Sequence, residues 1–479
     1  MITDILAAII QNSQDFMFYS CYSYMCNEEE SEGDLMKLNY KRTFLTGLAF
    51  LVITAFWQMY DNVLPLMLRD TFHLDETLIG VIMASDNILA LFLLPFFGKL
   101  SDKTSSRIGK RMPYILFGTG AAIILTNVLP IIDNSYYVAQ SNLKLGSFVI
   151  TLGLLLIAMA VFRSPAVALM PDVTPKPLRS QGNAVINLMG ALGGIIYLIF
   201  SALMYPETKT KAVEHVNYQP LFIFIASLMF IGIGLMLLTV KENKWSEENK
   251  KIEKEHPEWD LSVKEEKKTR LPAPVLRSML FLLASVALWY FAYNALTTWF
   301  TSYVDTLMGK QLGFASTCFL VTNVGAILFF IPSGIIASKI GRKKSILIGT
   351  MAFGTCFVAA YFITTAAKES AIIPMYIDFF IVGVSWALIN VNSLPMTVEM
   401  CNGADTGKFT GYYYAASMSA QVVTPVLAGF LLRTFGYRIL FPYAALFAFL
   451  SFTTMLFVKH GDNRVQAKKS ISAFEDMEI

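Results

Sequence analysis

Twelve apolar segments, separated by shorter polar stretches, constrain the fold of this chain more than any other feature. A helix of about 20 residues crosses the roughly 30 Å hydrocarbon core of a bilayer. The backbone finds no water inside lipid, so each such segment must satisfy its own hydrogen bonds as a helix. The predicted segments lie at approximately 44–68, 76–97, 112–131, 146–170, 181–204, 220–240, 276–301, 314–337, 345–366, 371–398, 409–432 and 438–458. We therefore predict an all-α integral membrane protein with twelve transmembrane helices.

The composition agrees with a membrane protein and argues against several other classes. Of the 479 residues, 55% are hydrophobic and 15% are charged, whereas about 25% are charged in soluble domains. A net charge of +3 gives no reason to expect a nucleic-acid partner. The five cysteines lack the spacing of a zinc site or a disulfide framework, and the sequence contains no metalloprotease, serine-hydrolase or P-loop motif. We therefore expect no enzymatic activity, no metal and no other cofactor.

The distribution of Lys and Arg orients the predicted helices. With an even number of helices, both termini and the even-numbered connections share one side of the membrane. That side carries 29 of the 38 basic residues, against eight on the other side and Arg163 within a segment. Positive charge is retained in the cytoplasm during insertion. We therefore expect both termini in the cytoplasm, in a multi-pass protein of the plasma or inner membrane.

The segments divide into two halves of six, joined by a charged stretch. The predicted divisions are a cytoplasmic tail (1–40), a first half (41–240), a cytoplasmic linker (241–274), a second half (275–459) and a cytoplasmic C-terminal tail (460–479). Residues 1–35 lack the basic start of a signal peptide, and we expect them to be dispensable or to come from an upstream start codon. The linker's alternating charges favour a solvated stretch or a short surface helix.

Two related loop motifs, each between the second and third segments of a half, indicate that the halves repeat each other. The first reads G-K-L-S-D-K-T-S-S-R-I-G-K-R from Gly98 to Arg111, and the second reads G-I-I-A-S-K-I-G-R-K-K from Gly334 to Lys344. Such repeats are typical of two-half transporters. The motifs resemble the major facilitator superfamily signature G-x-x-x-D-R-x-G-R-[RK]-[RK]. That resemblance implies a secondary transporter that works by alternating access.

The extended first loop, S-D-K-T-S-S-R-I-G-K-R-M-P-Y, also resembles the loop of proton-coupled sucrose transporters and related glycoside–cation symporters. Parts of the fourth, tenth and eleventh segments agree with bacterial members near that branch. The resemblance implies import of a sugar or glycoside, such as sucrose or maltose. Melibiose-type relatives bind sodium with an Asp-x-x-x-Asp pair, but Ile82 and Ala90 stand at those positions around Asp86. A proton is therefore the expected coupling ion.

The resemblance further implies a gate of charged residues that holds the cytoplasmic side shut in the outward-open state. By their positions in the motif and at the end of the fourth segment, the gate residues are Asp102, Arg107, Arg111 and Asp172. The alternative is that these positive charges only set the topology. Ser338 replaces the motif aspartate in the second loop, so we expect the two halves to gate asymmetrically.

Polar residues at helical spacing predict a substrate cavity, since polar groups in lipid usually face the protein interior. The alternative is helix packing, which Ser, Thr, Asn and Gly often mediate. Neutral amides and aromatic rings suit a sugar, and one arginine suits a carboxylated sugar. The candidate substrate-binding residues are Gln58, Arg163, Asn187, Tyr290, Asn294, Trp386, Asn390, Asn392, Tyr414 and Gln421.

Three carboxylates within the segments, Asp61, Asp86 and Asp378, are candidates for proton coupling. A carboxylate isolated from water takes up a proton more readily than an exposed one. Asp86 and Arg163 lie at similar predicted depth and are the preferred charge pair. Two other functions remain open: transport of a non-sugar solute, such as a metabolite or drug, and sugar sensing without transport. We expect a monomer in the lipid bilayer, with a small-molecule substrate and a coupling proton as partners.

Overall fold

The computed structural model describes residues 38–210, 213–255, 272–366, 372–400 and 406–462. Within these ranges, twelve helices are long and apolar enough to cross a membrane. The first half contains α1 (Tyr40–Leu66), α2 (Glu76–Asp102), α3 (Met112–Val138), α4 (Asn142–Val173), α5 (Arg179–Met204) and α6 (Gln219–Thr239). The second half contains α7 (Ala273–Tyr303), α8 (Leu312–Ile340), α9 (Arg342–Ala366), α10 (Ile372–Val398), α11 (Thr406–Phe435) and α12 (Leu440–Leu456). The predicted all-α fold with twelve membrane helices is confirmed, whereas the predicted segment 1–35 lies outside the described residues.

Because consecutive helices run in opposite directions, the bundle has two distinct ends. The end that carries Asp102 and Asp172 is here called the motif end, and the end that carries Arg69 and Asp305 is called the far end. At the far end, α1 and α7 continue as five-residue π-helices, Met67–Thr71 and Val304–Met308.

Helix boundaries at the motif end extend beyond the predicted segments. The first loop motif begins inside α2, and Asp102, predicted just beyond the helix, is its last residue. Likewise α4 continues through Pro171 to Val173 before the 3-10 turn Lys176–Leu178 leads into α5. Proline lacks a backbone N–H donor, which weakens a helix but does not have to end it at that residue. The helix α4 ends two residues after Pro171.

The halves meet mainly along two helix pairs, α2 with α11 and α5 with α8, and α1 also contacts α7. At the far end of the first pair, a Cβ on Gly80 would collide with the carbonyl oxygen of Pro425, and one on Gly429 would collide with that of Glu76. The two backbones are therefore in direct contact across the interface between the halves, which is here called the seam. In the second pair, the backbone N–H of Gly313 donates to the carbonyl of Tyr205 at 3.1 Å.

Nearer the motif end, the contact between the halves includes an apolar cluster. Ala184 of α5 packs in one cluster with Ala326 and Phe330 of α8 and with Ala387 and Val391 of α10. The alanine side chains on three helices allow this close packing.

The first part of the charged linker is a helix, Glu242–Glu255, here called the linker helix. Its residues Glu242, Trp245, Ser246 and Asn249 are buried, which places one face against the first half. Arg42 of α1 binds Glu248 at 2.7 Å and lies over the Trp245 ring at 5.1 Å. The buried side chains are spaced three and four residues apart, so they lie on one face of the linker helix. The linker is therefore not a fully solvated stretch. Residues 256–271 lie outside the described ranges.

Candidate substrate cavity and gate

A small, partly open cavity lies between the two halves. Side chains from α1, α7 and α8 line it: Gln58, Asp61, Asn62, Tyr293, Thr297, Phe319, Thr322 and Asn323. Near the far end of this cavity, the hydroxyl of Thr301 donates to the Asn62 side chain across the seam at 3.3 Å. This cavity, here called the central cavity, therefore has polar walls contributed by both halves.

A second small cavity adjoins it within the first half. Its walls come from α1, α2 and α4: Trp57, Asp86, Ala90, Leu94, Leu156, Met159, Ala160 and Arg163. Asp86 and Arg163 are close enough for their charges to attract, and the charge of Asp86 also acts on Asp61. Asp86 accepts a hydrogen bond from the Asn87 side chain at 2.9 Å. The structure thus places the preferred charge pair on one cavity wall.

Aromatic rings extend the central cavity toward α10. Trp386 stacks on Tyr293 with ring centroids 4.2 Å apart and planes 17° apart. Tyr290 approaches the same indole edge-on at 5.6 Å. Two of the predicted substrate residues, Tyr290 and Trp386, therefore belong to an aromatic cluster that includes Tyr293. Tyr293 lines the cavity, and the sequence analysis did not select it.

Three predicted residues near these rings have buried polar atoms without a protein partner. The Tyr290 hydroxyl, the Asn294 amide nitrogen and both side-chain polar atoms of Asn390 form no hydrogen bond with the residues that the structure describes. Buried polar groups in native proteins are nearly always hydrogen-bonded, so unpaired ones call for an explanation. None of these three residues lines either cavity in this conformation.

Other predicted residues lie elsewhere. Asn392 is buried and donates to Ser333 of α8 at 3.3 Å, to Ser345 of α9 at 3.2 Å and to the Leu388 carbonyl at 2.8 Å. These bonds hold three helices of the second half together. Asn187 is buried on α5, while Tyr414 is exposed and Gln421 half-buried on α11, and none of the three lines either cavity.

Asp378 is also separate from both cavities. It lies inside the second half, close enough to Cys356 and Cys318 for its charge to act on both thiols. Asp61 and Asp86, by contrast, lie on the two adjoining cavity walls. Among the described residues, no group of three or more His, Cys, Asp or Glu side chains is arranged to hold a metal ion.

The motif end carries a compact ion network around Arg111. Its guanidinium binds Asp102, and its Nε donates to Asp172 at 2.8 Å. Lys110, which the sequence analysis did not select, binds Asp172 at 3.0 Å. The Arg107 side chain is exposed and makes no ion pair with a described residue. Three of the four predicted gate residues therefore meet, all within the first half.

The far end carries an ion pair that joins the two halves. The Arg69 guanidinium binds Asp305 and donates to the Ser302 carbonyl at 2.9 Å and to the Thr306 hydroxyl at 2.8 Å. Arg69 comes from the end of α1 and its partners come from the end of α7. This cluster holds the two halves together at the far end.

The sequence profile of the Major Facilitator Superfamily matches residues 46–311 and 308–475. The chain belongs to the Major Facilitator Superfamily. The multidrug resistance protein MdtG of Proteus mirabilis is 23% identical over 416 residues, which cover 85% of this chain and 91% of that protein. The proton-associated sugar transporter A of Rattus norvegicus is 25% identical over 185 residues, which cover 38% of this chain and 24% of that protein.

Solved structures agree with this assignment at the level of the fold. The crystal structure of the nucleoside transporter NupG matches with a TM-score of 0.63 at 14% identity, over 87% of this chain and 100% of that chain. The predicted superfamily is therefore confirmed, and the protein is a multi-pass membrane transporter.

Within this superfamily member, the second loop motif is built differently from the first. Ser338, which replaces the motif aspartate, donates its hydroxyl to the Ile335 carbonyl of its own helix at 2.8 Å. Arg342 instead binds Glu399, the residue that follows α10. The corresponding residue is Asp172, the second-last residue of α4, so each loop places a cation against an acid at the end of the fourth helix of its half.

The sequence analysis missed residues that face the central cavity from α8. Asn323 is the only carboxamide on that helix, which is the signal that could have identified it, and Thr322 lies beside it. It also missed Glu242, which was assigned to a solvated linker. Burial raises the pKa of the Glu242 carboxyl, although three backbone N–H donors partly offset this.

Proposed function

We propose that this transporter imports a sugar or glycoside together with a proton by alternating access. The observation that carries the proposal is the set of unpaired polar atoms on Tyr290, Asn294 and Asn390 beside the stacked rings of Tyr293 and Trp386. A sugar presents hydroxyls to the first set and ring C–H groups to the second. Carboxamides and hydroxyls match this substrate because they donate and accept without adding charge.

The position of the central cavity supports alternating access. Its walls come from both halves, so a movement of one half against the other would expose it first to one side and then to the other. Arg69 closes the far end in the present conformation. We assign the motif end to the cytoplasm, because that end carries most of the basic residues. The expected location is the plasma or inner membrane, and the expected state is a monomer.

Proton coupling is assigned to Asp61 and Asp86. Both carboxylates lie beside the cavities, and Arg163 is within electrostatic reach of Asp86. A proton taken up by one carboxylate would change the charge balance of the cavity walls, which could couple proton binding to substrate binding. The name of the proton-associated sugar transporter relative agrees with such coupling.

The test is uptake of radiolabelled sucrose, maltose, trehalose and melibiose into proteoliposomes under an inward proton gradient. Accumulation that an uncoupler abolishes is the expected result. Absence of uptake for every sugar, in vesicles that contain folded protein, would refute the sugar assignment.

A second candidate is transport of an apolar organic solute. The second cavity favours it, because most of its walls are apolar and Asp86 could pair with a cationic group. The multidrug resistance relative covers more of this chain than the sugar transporter relative does. The same vesicles tested with a lipophilic cation distinguish the two: sugar-independent cation movement would favour this candidate.

A further inference from the structure

Two rows of polar side chains face each other on α1 and α7, which belong to different halves and contact each other. The row on α1 consists of Gln58, Asn62 and Arg69, and the row on α7 consists of Thr297, Thr301 and Asp305. Spacings of four and seven residues on α1, and of four on α7, keep each row on one face of its helix. One end of each row lines the central cavity, and the other end forms the ion pair at the far end.

Asn62 and Thr301 form the middle contact between the rows. Both residues are buried, with 2% and 1% of their surface exposed. The Thr301 hydroxyl donates to Oδ1 of Asn62 at 3.3 Å, and Nδ2 of Asn62 donates to the Gln58 carbonyl at 2.6 Å. The bond within α1 fixes the orientation of the carboxamide, so the oxygen is the atom that reaches the other half.

This contact lies between the central cavity and the ion pair of Arg69. Asn62 precedes Arg69 by seven residues, which is about two helical turns or roughly 10 Å along the axis. A solute that left the central cavity toward the far end would therefore pass Asn62 before it reached Arg69. The Asn62–Thr301 bond is an inner closure of the far end, and the Arg69 cluster is an outer one.

The cavity wall beside this inner closure is rich in hydrogen-bond acceptors. The Thr297 hydroxyl donates to the Asn294 carbonyl at 3.2 Å. The Thr322 hydroxyl donates to the carbonyls of Cys318 and Phe379, each at 3.1 Å. A hydroxyl has a single hydrogen, so both threonines present only lone pairs to the cavity. A ligand that binds this wall must therefore supply hydrogen-bond donors.

Asn62 can bind a ligand without releasing Thr301. A carboxamide oxygen has two lone pairs, and Thr301 uses one of them. Asn62 also lines the central cavity, so the second lone pair can accept a hydroxyl of the ligand. Thr297 lines the same cavity from α7, and a ligand that reaches both residues joins the two halves. Such a ligand binds more tightly when the far end is closed, and it shifts the equilibrium toward closure.

We propose that Asn62 is a gating residue that binds a hydrogen-bond donor of the ligand and holds the far end shut through Thr301. The contact selects a solute with several donor groups, of which sugar hydroxyls are the uncharged kind. The inference rests on the proposed alternating access and on the central cavity as the substrate site. It assigns a ligand-dependent closure to a pair without charge, whereas Arg69 lines neither cavity.

The first test measures the distance between spin labels at the far end without ligand. Val138 and Phe435 are exposed positions for the labels, one on each half, in a background free of native cysteines. Thr301→Val keeps the shape of the side chain but removes the donor, and it should raise the population with an open far end at least two-fold. Thr301→Ser retains the hydroxyl and should remain closer to the parent protein.

Thr54→Val is the matched control for this measurement. The Thr54 hydroxyl is buried and forms no hydrogen bond with a described residue, so the same substitution removes no contact between the halves. Its distances should equal those of the parent protein. An unchanged open population in Thr301→Val, or an equal increase in Thr54→Val, would overturn the proposal.

A double-mutant cycle checks that the two residues act through one contact. Asn62→Ala added to Thr301→Val should open the far end no further than the stronger single variant does. Additive opening would overturn the proposal. Should Thr301→Val fail to fold, Asn62→Ala carries the same distance measurement.

The second test adds sucrose, maltose, trehalose or melibiose to the labelled protein, at concentrations that saturate each variant. A sugar that the parent protein takes up should lower its open population at least two-fold and should have a smaller effect in Asn62→Ala. Equal closure in both proteins, or uptake without any closure, would overturn the proposal. If no sugar is taken up, the proposed substrate is refuted, and the distances without ligand decide whether Asn62 and Thr301 close the far end.

Discussion

Arg69 at the end of α1 binds Asp305 at the end of α7, and this ion pair joins the two halves at the far end of the bundle. The Arg69 side chain is 14% exposed and that of Asp305 is 27% exposed, so water screens the pair only in part. Two further donors from the same guanidinium reach α7. The cluster therefore makes the far-end-closed conformation more stable than the open one.

Replacing Arg69 with alanine should open the far end. Hydrogen bonds to charged groups contribute about 1.5–3 kcal/mol, which corresponds to a shift of roughly tenfold or more in the open-to-closed ratio. Spin labels at the exposed positions Val138 and Phe435 would report a longer distance between the halves. Arg433→Ala removes a much more exposed pair with Asp75 and should shift the ratio less than about three-fold. Equal shifts in the two variants would contradict a special role for Arg69.

Asn390 and Asn392, two residues apart on α10, should respond oppositely to alanine. Asn392→Ala removes three hydrogen bonds and should lower stability by about 1–3 kcal/mol. Asn390→Ala removes buried polar atoms that have no protein partner, so the melting temperature should stay the same or rise. Sugar uptake, however, should fall at least tenfold in the Asn390 variant. Melting in detergent and vesicle uptake measure the two effects, and a destabilised Asn390 variant would argue against a ligand-binding role.

We expect the two cavity carboxylates, Asp61 and Asp86, to behave differently from Asp378 in an assay of proton coupling. Asp61→Asn or Asp86→Asn should abolish sugar accumulation against a gradient, because an amide cannot carry a proton between the two sides. Exchange of labelled for unlabelled sugar should continue, since it requires no net proton movement. Asp378→Asn is the control, because this carboxylate faces Cys356 inside the second half. Loss of accumulation only in the Asp378 variant would reverse the assignment.

Acid should destabilise the protein through His215, which follows α5 at the far end. Burial lowers the pKa of His215 from its usual 6.5, and the negative charge of Asp70 offsets this in part. The His215 Nε2 lies 2.8 Å from the Asn134 oxygen and 3.6 Å from an oxygen of Asp133. Below about pH 6.5 the unfolded chain binds a proton that the folded chain binds less readily, so stability falls as pH decreases.

The melting temperature measured between pH 7.5 and 5.5 checks this expectation. The His215→Gln variant should show a flatter pH dependence than the parent protein. His73→Asn is the control: His73 is exposed and has φ +52°, a conformation that asparagine tolerates. Identical slopes in the parent and the His215 variant would disprove the contribution of this histidine.

Much of the fold could be predicted because membrane helices are determined by local hydropathy. The segment predicted at 181–204 is the helix Arg179–Met204, and that predicted at 371–398 is Ile372–Val398. The pairing of Arg111 with Asp172 could also be anticipated, since both lie at helix ends on the same side. Such inferences need only chain order and the length of a helix.

The features that could not be predicted from the sequence depend on which side of each helix faces its neighbours. Asn390 and Asn392 are indistinguishable as sequence, yet one has unpaired atoms and the other joins three helices. Glu242 belongs to a run of charges, and only its burial beside Gly109 reveals the helix cap. The pair of Arg69 and Asp305 is 236 residues apart in the chain. Tertiary packing decides these features.

The direct backbone contact at Gly80 and Gly429 limits how the two halves can move. Surfaces that touch without intervening side chains have no flexible layer that could absorb sliding, so the halves should separate there by tilting apart. Adding one methyl group at either glycine would act as a wedge and hold the seam partly open. The resting balance between the two orientations of this transporter is therefore adjustable by an alteration as small as a single carbon atom.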